Sequence, residues 1–208
     1  MPVPTHQPPA PGETIVFFGD SVTDCRHRED EDRLGQGHVR LLAEGALQDR
    51  RVINAGISGN RVVDLQQRLA DDVLTQRPDV VSIMIGINDT WRRFDRDDAT
   101  STADYEAGLR DIITRVIESG ARLVLVEPFV LPVTDEQATA WREDLDPRIA
   151  VVHRIAGEIG VVVVPTDREL NRLAAEQGAE VLAADGVHPT PTGHQAIAAL
   201  WAATVLAA

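Results

Sequence analysis

The residues best suited to chemistry in this chain fall in four short blocks: Gly19-Asp20-Ser21, Asn54-Ala55-Gly56-Ile57-Ser58-Gly59-Asn60, Gly86-Ile87-Asn88-Asp89 and Asp185-Gly186-Val187-His188-Pro189. A serine hydroxyl becomes a nucleophile when a neutral imidazole takes its proton and a carboxylate holds the second ring nitrogen. Ser21, His188 and Asp185 supply that set, the last two sharing one tight loop that contains glycine. Negative charge growing on a carbonyl oxygen needs donors fixed in advance. The backbone N–H groups of Ser21 and Gly59 and the carboxamide of Asn88 are the candidates, and glycine at 59 lets a substrate approach the chain closely. Singly, each block has a plainer reading. Ser after Gly-Asp is commonly a turn or helix cap, Asn-Asp a cap pair, and Asp-Gly a turn. It is the conjunction that points to acyl transfer.

Groups so far apart in sequence must be gathered by a scaffold. Apolar runs at Ile15 to Phe18, Arg51 to Ile53, Val80 to Ile85, Leu123 to Val126 and Val161 to Val164 alternate with segments of helical period. That alternation predicts an α/β fold with a five-stranded parallel sheet between helices. Leu65, Leu69 and Val73 make one helical stripe, and Tyr105, Leu109, Ile112, Ile113, Val116 and Ile117 another that Gly120 ends. A further helix is expected over Arg148 to Ile159, and a last one from Thr190 and Pro191, a good cap followed by a good first residue. Ligands of open parallel sheets bind outside the carboxyl ends of the strands, where three of the four blocks fall. The connection from Pro128 to Pro147, with Trp141 and the run Arg142-Glu143-Asp144, reads as a lid or a wall. Residues 1–11, with Pro2, Pro4, Pro8, Pro9 and Pro11, form a loose N-terminal arm, and 12–208 a single domain.

Composition removes many alternatives. The 208 residues are 43% hydrophobic, enough for one core, and the net charge of -13 repels phosphate backbones and anionic lipid heads. All 20 basic residues are Arg, so P-loop, Schiff-base and Ser-Lys chemistries are excluded. The single Cys25 excludes an internal disulfide and multi-Cys metal sites, and reads as a small buried apolar residue. With no targeting signal, and a terminal apolar stretch too short to cross a bilayer, a soluble cytoplasmic protein without nucleic-acid or membrane partners is expected. Glu29 to Asp32 reads as a solvated face, and a metal at Asp185, His188 and His194 is disfavoured. Asp20 reads as a brace for the serine loop and Trp201 as core, whereas Trp141 is open between core and pocket. Arg92 and Arg93 read as surface ion pairs. Trp91 is the candidate substrate-binding wall beside Asn88, in a rim otherwise rich in Asp, Glu and Arg that suits a polar substrate.

In this order and approximate spacing the four blocks resemble those of the SGNH (GDSL) hydrolases. The resemblance runs through nearly the whole chain. It implies a flavodoxin-like three-layer α/β/α fold, Ser21 as nucleophile, His188 as base with Asp185 as its partner, and an oxyanion hole of Ser21, Gly59 and Asn88. Asn60-Arg61-Val62-Val63-Asp64-Leu65, Pro78-Asp79-Val80-Val81-Ser82-Ile83-Met84 and Asn88-Asp89-Thr90-Trp91-Arg92 look more narrowly like intracellular acetyl xylo-oligosaccharide esterases. That likeness implies removal of acetyl groups from small sugar esters, with no metal or other cofactor, by a homo-oligomer. The alternatives are a lysophospholipase or thioesterase with the same machinery and a non-catalytic binding module. The Glu29 to Asp32 cluster matches no role in the family.

Overall fold

Short runs dense in Val, Ile and Phe pair into one parallel sheet in the structure, a computed structural model that describes residues 7–207. Its strands are β1 (Thr14–Gly19), β2 (Arg51–Gly56), β3 (Val80–Met84), β4 (Arg122–Val126) and β5 (Val162–Val164), in the order β2-β1-β3-β4-β5. After β1 come the one-turn α1 (Ser21–Asp24) and α2 (His38–Glu44), and after β2 comes α3 (Val62–Asp72). β3 leads into α4 (Ile87–Asp95) and α5 (Thr102–Glu118), and β4 into α6 (Arg142–Ile159). α7 (Thr166–Gln177), α8 (Ala179–Leu182) and α9 (Pro191–Val205) follow β5.

Side chains alternate across a strand, so the sheet has two apolar faces and each needs cover. Val16, Phe18, Val81, Ile83 and Leu125 pack under α3, α5 and α6. Ile15, Phe17, Val80, Met84 and Val124 pack under α2, α7 and α9. α5 shows how sequence builds such cover: Ser101 caps it by accepting the Asp104 N–H at 3.0 Å, and its stripe from Tyr105 to Val116 is buried. Gly120, at φ +90°, then turns the chain out. α9 starts at Pro191 behind Thr190, whose hydroxyl accepts the Gly193 N–H, and it docks on the sheet through Trp201, whose Nε1 donates to Ser82 Oγ at 3.0 Å. No described helix is long and apolar enough to cross a membrane.

The three-layer, five-stranded expectation holds, with shifted boundaries. β2 runs on to Gly56 because Asn54, Ala55 and Gly56 stay in register with Phe17, Phe18 and Gly19. The buried Asn54 is satisfied there: its Nδ2 donates to Thr23 O and Leu34 O at 2.7 and 2.8 Å. α6 starts before Pro147 rather than after it, preceded by a π-helical turn over Gln137–Trp141. Burial of Trp141 and Leu145, and ion pairs of Arg142 with Asp167 and of Arg148 with Asp144, outweigh the one hydrogen bond that proline removes. Residues 1–6 of the proline-rich arm lie outside the described residues. Its remainder is not loose: Pro9 is buried and its carbonyl accepts from Arg50 Nη2 at 2.6 Å, while Arg122 Nη1 donates to Gln7 O at 2.8 Å.

Candidate active site

Ser21 opens α1 at the carboxyl end of β1, with Asp20 as cap accepting the Val22 N–H at 3.0 Å. The turn is too tight for side chains: a Cβ on Gly19 would lie 2.5 Å from Met84 O, and one on Gly56 2.2 Å from Asp24 N. So placed, Ser21 Oγ is 3.0 Å from His188 Nε2, and His188 Nδ1 is 2.6 Å from Asp185 Oδ2. Burial works against ionisation of Asp185. Hydrogen bonds from the His188 ring and from the N–H groups of His188 and Val187 nevertheless hold its carboxyl below the usual range. An ionised Asp185 accepts a hydrogen bond from Nδ1–H and so keeps the ring proton there, which leaves Nε2 to accept from the hydroxyl. The three groups form one hydrogen-bonded chain from hydroxyl to carboxylate.

The loop that carries the histidine is anchored by the Pro128 to Trp141 segment, which is a wall rather than a lid. Gln137 Nε2 donates to Asp185 O at 2.8 Å, while its Oε1 accepts the Val133 N–H at 2.9 Å. The Leu131 N–H donates to Gly186 O at 2.8 Å, and Gly186, at φ +82°, has no room for a Cβ, which would sit 2.6 Å from Leu131 O. Trp91 lies with its ring centroid 5.7 Å from that of His188, backed by Trp141 at 5.4 Å, which in turn stacks on Phe94. The segment after Asn88 is therefore helical, with aromatic residues turned inward. Its arginines are paired, Arg92 with Asp95 and Arg93 with Asp144.

Asn88, only 2% exposed, is held at both ends of its carboxamide: Nδ2 donates to Asn60 O and Oδ1 accepts from Arg92, each at 3.1 Å. The second Nδ2 hydrogen stays available. Among the described residues the N–H groups of Ser21 and Gly59 have no protein acceptor either, and Gly59 sits at φ +83°. Arg68, on α3, ties this region together by donating to Gly19 O, Ala55 O and Asn60 Oδ1 at 2.9, 2.8 and 2.7 Å, with its guanidinium over Phe18. Arg68 and Gln137 were missed by sequence reasoning, since an isolated Arg in a helix or Gln in a connection carries no signal.

The open cleft at Ser21 has a volume of about 550 Å³ and includes Arg26, Gln36, Ser58, His188 and Pro189 in its wall. His194 lies there too, but its ring is turned away from Asp185 and His188. Nδ1 accepts the His38 N–H at 3.2 Å, so the proton is on Nε2, 3.1 Å from Cys25 Sγ. Cys25 is half-buried rather than core. Of the acidic cluster, Asp30 braces its own loop by accepting from the N–H groups of Leu34 and Gly35 and from Arg40, whereas Glu29, Glu31 and Asp32 are exposed.

Asp20 is fully buried, and loss of solvation pushes its carboxyl up to about 7. A carboxyl raised above its unfolded value contributes stability below the unfolded value and loses it as pH rises through the folded one. Asp20→Asn keeps the oxygen that caps α1. Its melting temperature should exceed that of the parent by more at pH 8 than at pH 5, as read by circular dichroism; a margin that shrinks from pH 5 to pH 8 would contradict a carboxyl raised by burial.

A model of the GDSL-like Lipase/Acylhydrolase family matches residues 17–196 of the chain. The acetylxylan esterase of Geobacillus stearothermophilus is 36% identical over 202 residues, which cover 90% of this chain and 91% of that protein. Crystal structures of catalytic mutants of that esterase, with an aspartate, a histidine or a serine replaced by alanine, superpose with a TM-score of 0.86 at 33% identity over 96% of both chains. LAE5, an α/β hydrolase enzyme from the metagenome of Lake Arreo, Spain, superposes with a TM-score of 0.85 at 30% identity, covering 94% of this chain and 96% of its own.

Proposed function

The chain belongs to the GDSL-like lipase/acylhydrolase family and is a carboxylic ester hydrolase, and from that premise we propose that it deacetylates small polar substrates, acetylated xylo-oligosaccharides or related sugars, through an acyl-enzyme on Ser21. The observation that carries this reading is the hydrogen-bonded series Ser21 to His188 to Asp185, at 3.0 and 2.6 Å, in a chain aligned almost end to end with an acetylxylan esterase. Serine, histidine and aspartate are also the residue types replaced in that esterase's catalytic mutants.

Ser21 Oγ attacks the acetyl carbonyl while His188 Nε2 takes the hydroxyl proton, and Asp185 steadies the imidazolium that forms. The oxyanion settles between the N–H groups of Ser21 and Gly59 and the spare Nδ2 hydrogen of Asn88. His188 then gives its proton to the departing sugar oxygen, and a water deprotonated by the same nitrogen releases acetate. Every proton passes through one nitrogen, so no cofactor is called for. Trp91, beside the imidazole, presents a flat apolar face to a sugar ring at the rim of the cleft. The protein works in the cytoplasm as a homo-oligomer, as the resemblance to intracellular esterases implies. Fractionation and light scattering test those two points.

Acyl-chain length separates this reading from a lipid hydrolase. Each further buried CH₂ is worth about 0.8 kcal/mol only where water is excluded along an apolar trough, and the apolar wall that Cys25, Pro189 and Pro191 give this open cleft is interrupted by Asp24, Arg26, Gln36 and Ser58. p-Nitrophenyl acetate should be cleaved much faster than the octanoate, and peracetylated xylose should release acetate. A higher kcat/KM on octanoate or on lysophospholipids would overturn the carbohydrate reading while leaving the serine mechanism in place.

A further inference from the structure

With 33 acidic residues to 20 arginines, a guanidinium in this chain rarely lacks a carboxylate, and most of the described arginines have one within 4 Å. Arg26 is different. Among the described residues it forms no ion pair and no hydrogen bond through its side chain, although it stands in the wall of the Ser21 cleft. Asp24, the carboxylate beside it in that cleft, is engaged elsewhere: Oδ2 accepts the Ser58 N–H at 2.9 Å and Oδ1 lies 3.9 Å from His27 Nε2. Asp30 is turned into its own loop and onto Arg40.

The backbone under Arg26 is fixed in a conformation that L residues disfavour. Cys25 and Arg26 are consecutive left-handed residues, at φ +42° and +62°. Cys25 O accepts the Gln36 N–H at 3.0 Å, and Gly35 presses so close that a Cβ there would lie 2.6 Å from Asp24 O and 2.8 Å from Cys25 O. The backbone beneath this exposed side chain is thus held fixed at the edge of the cleft. An acetyl group takes up a small part of about 550 Å³, so most of the cleft belongs to the alcohol half of the ester. His188 must protonate the departing oxygen, which puts that half beside His188, in the cleft whose wall Arg26 shares.

We propose that Arg26 anchors a subsite for a carboxylate carried on the alcohol half of the substrate, so that the preferred esters are acetylated sugars bearing an acid group, such as a uronic acid. The sugar part rests on the reading under Proposed function; the carboxylate part does not. A guanidinium pairs a carboxylate through two parallel hydrogen bonds, and one such fork suffices. A phosphate dianion in a chain of charge -13 would call for more than one free cation.

Two aryl esters that differ only in charge, 4-acetoxybenzoate and 4-acetoxybenzamide, test the subsite without any sugar. Each kcat/KM is divided by the ester's rate of alkaline hydrolysis to remove leaving-group effects. The acid-to-amide ratio should fall about five- to tenfold in Arg26→Gln, fall less in Arg26→Lys and invert in Arg26→Glu. In the parent, about 1 M NaCl should slow only the acid ester, a readout that stands even if a variant fails to fold. A ratio equal within about twofold in the parent and Arg26→Gln, or no salt effect in the parent, would overturn the subsite. If the aryl ratio follows Arg26 but no acetylated xylose or glucuronic acid releases acetate, the sugar reading falls and the carboxylate subsite stands. If acetylated xylose is cleaved and the aryl ratio ignores Arg26, the reverse holds.

Discussion

Ser21→Ala and His188→Ala are each expected to lower kcat by about 10⁴- to 10⁶-fold in a protein that still folds, and the double variant should be no worse than either single one. Members of a triad act as a unit: without the hydroxyl there is nothing to acylate, and without the imidazole the hydroxyl keeps its proton. Neither side chain holds the fold together. Their mutual contact is a single 3.0 Å hydrogen bond at the cleft, and the cap of α1 belongs to Asp20. Melting temperatures within a few degrees of the parent, together with loss of burst-phase nitrophenol release from p-nitrophenyl acetate, is the expected pair of results. Near-parental turnover by either variant, once contaminating esterase is excluded, would refute the assignment. Asp185→Ala is a less clean probe, because that carboxylate also accepts the N–H groups of Val187 and His188 and so shapes the loop itself.

Asn88→Ala should cost about 10² to 10³ in kcat with KM little changed, because its donor is needed where charge develops and not where the neutral ester binds. The present geometry sharpens the expectation. Arg92 and Asn60 O fix the carboxamide while leaving one Nδ2 hydrogen without a protein acceptor, and this preorganised donor is what alanine removes. Asn88→Asp keeps the shape but replaces the donor with an acceptor, and should lose at least as much. An effect confined to KM in both variants would assign Asn88 to ground-state binding instead.

Much of this was legible in sequence because parallel α/β folds put chemistry in predictable places. Val- and Ile-rich runs marked the strands, and the blocks that followed them carried Ser21, Gly59 and Asn88. What escaped had physical causes. Strand β2 looked finished at Ile53 because Asn, Ala and Gly are poor strand formers, yet cross-strand register and the satisfied amide of Asn54 carry it to Gly56. Pro147 looked like a helix boundary, and tertiary burial of Trp141 and Leu145 overrode it. α4 was hidden in a run of Arg and Asp whose two aromatics, Trp91 and Phe94, face a partner, Trp141, that lies far along the chain. Gln137 and Arg68 act through carbonyl groups, and carbonyls leave no mark in a sequence.

The hydroxyl and the imidazole that activates it are separated by 167 positions in the chain. Ser21 is among the first residues of the domain to be synthesised, while His188 and the helix that docks behind it through Trp201 are among the last. A nascent or prematurely ended polypeptide thus carries an inert serine, however well its first strands have formed. Cleavage that releases His188 together with the helix after it would silence the protein as completely as losing the nucleophile. Hydrolysis of an ester by this molecule therefore also reports that synthesis has run from Ser21 through to His188.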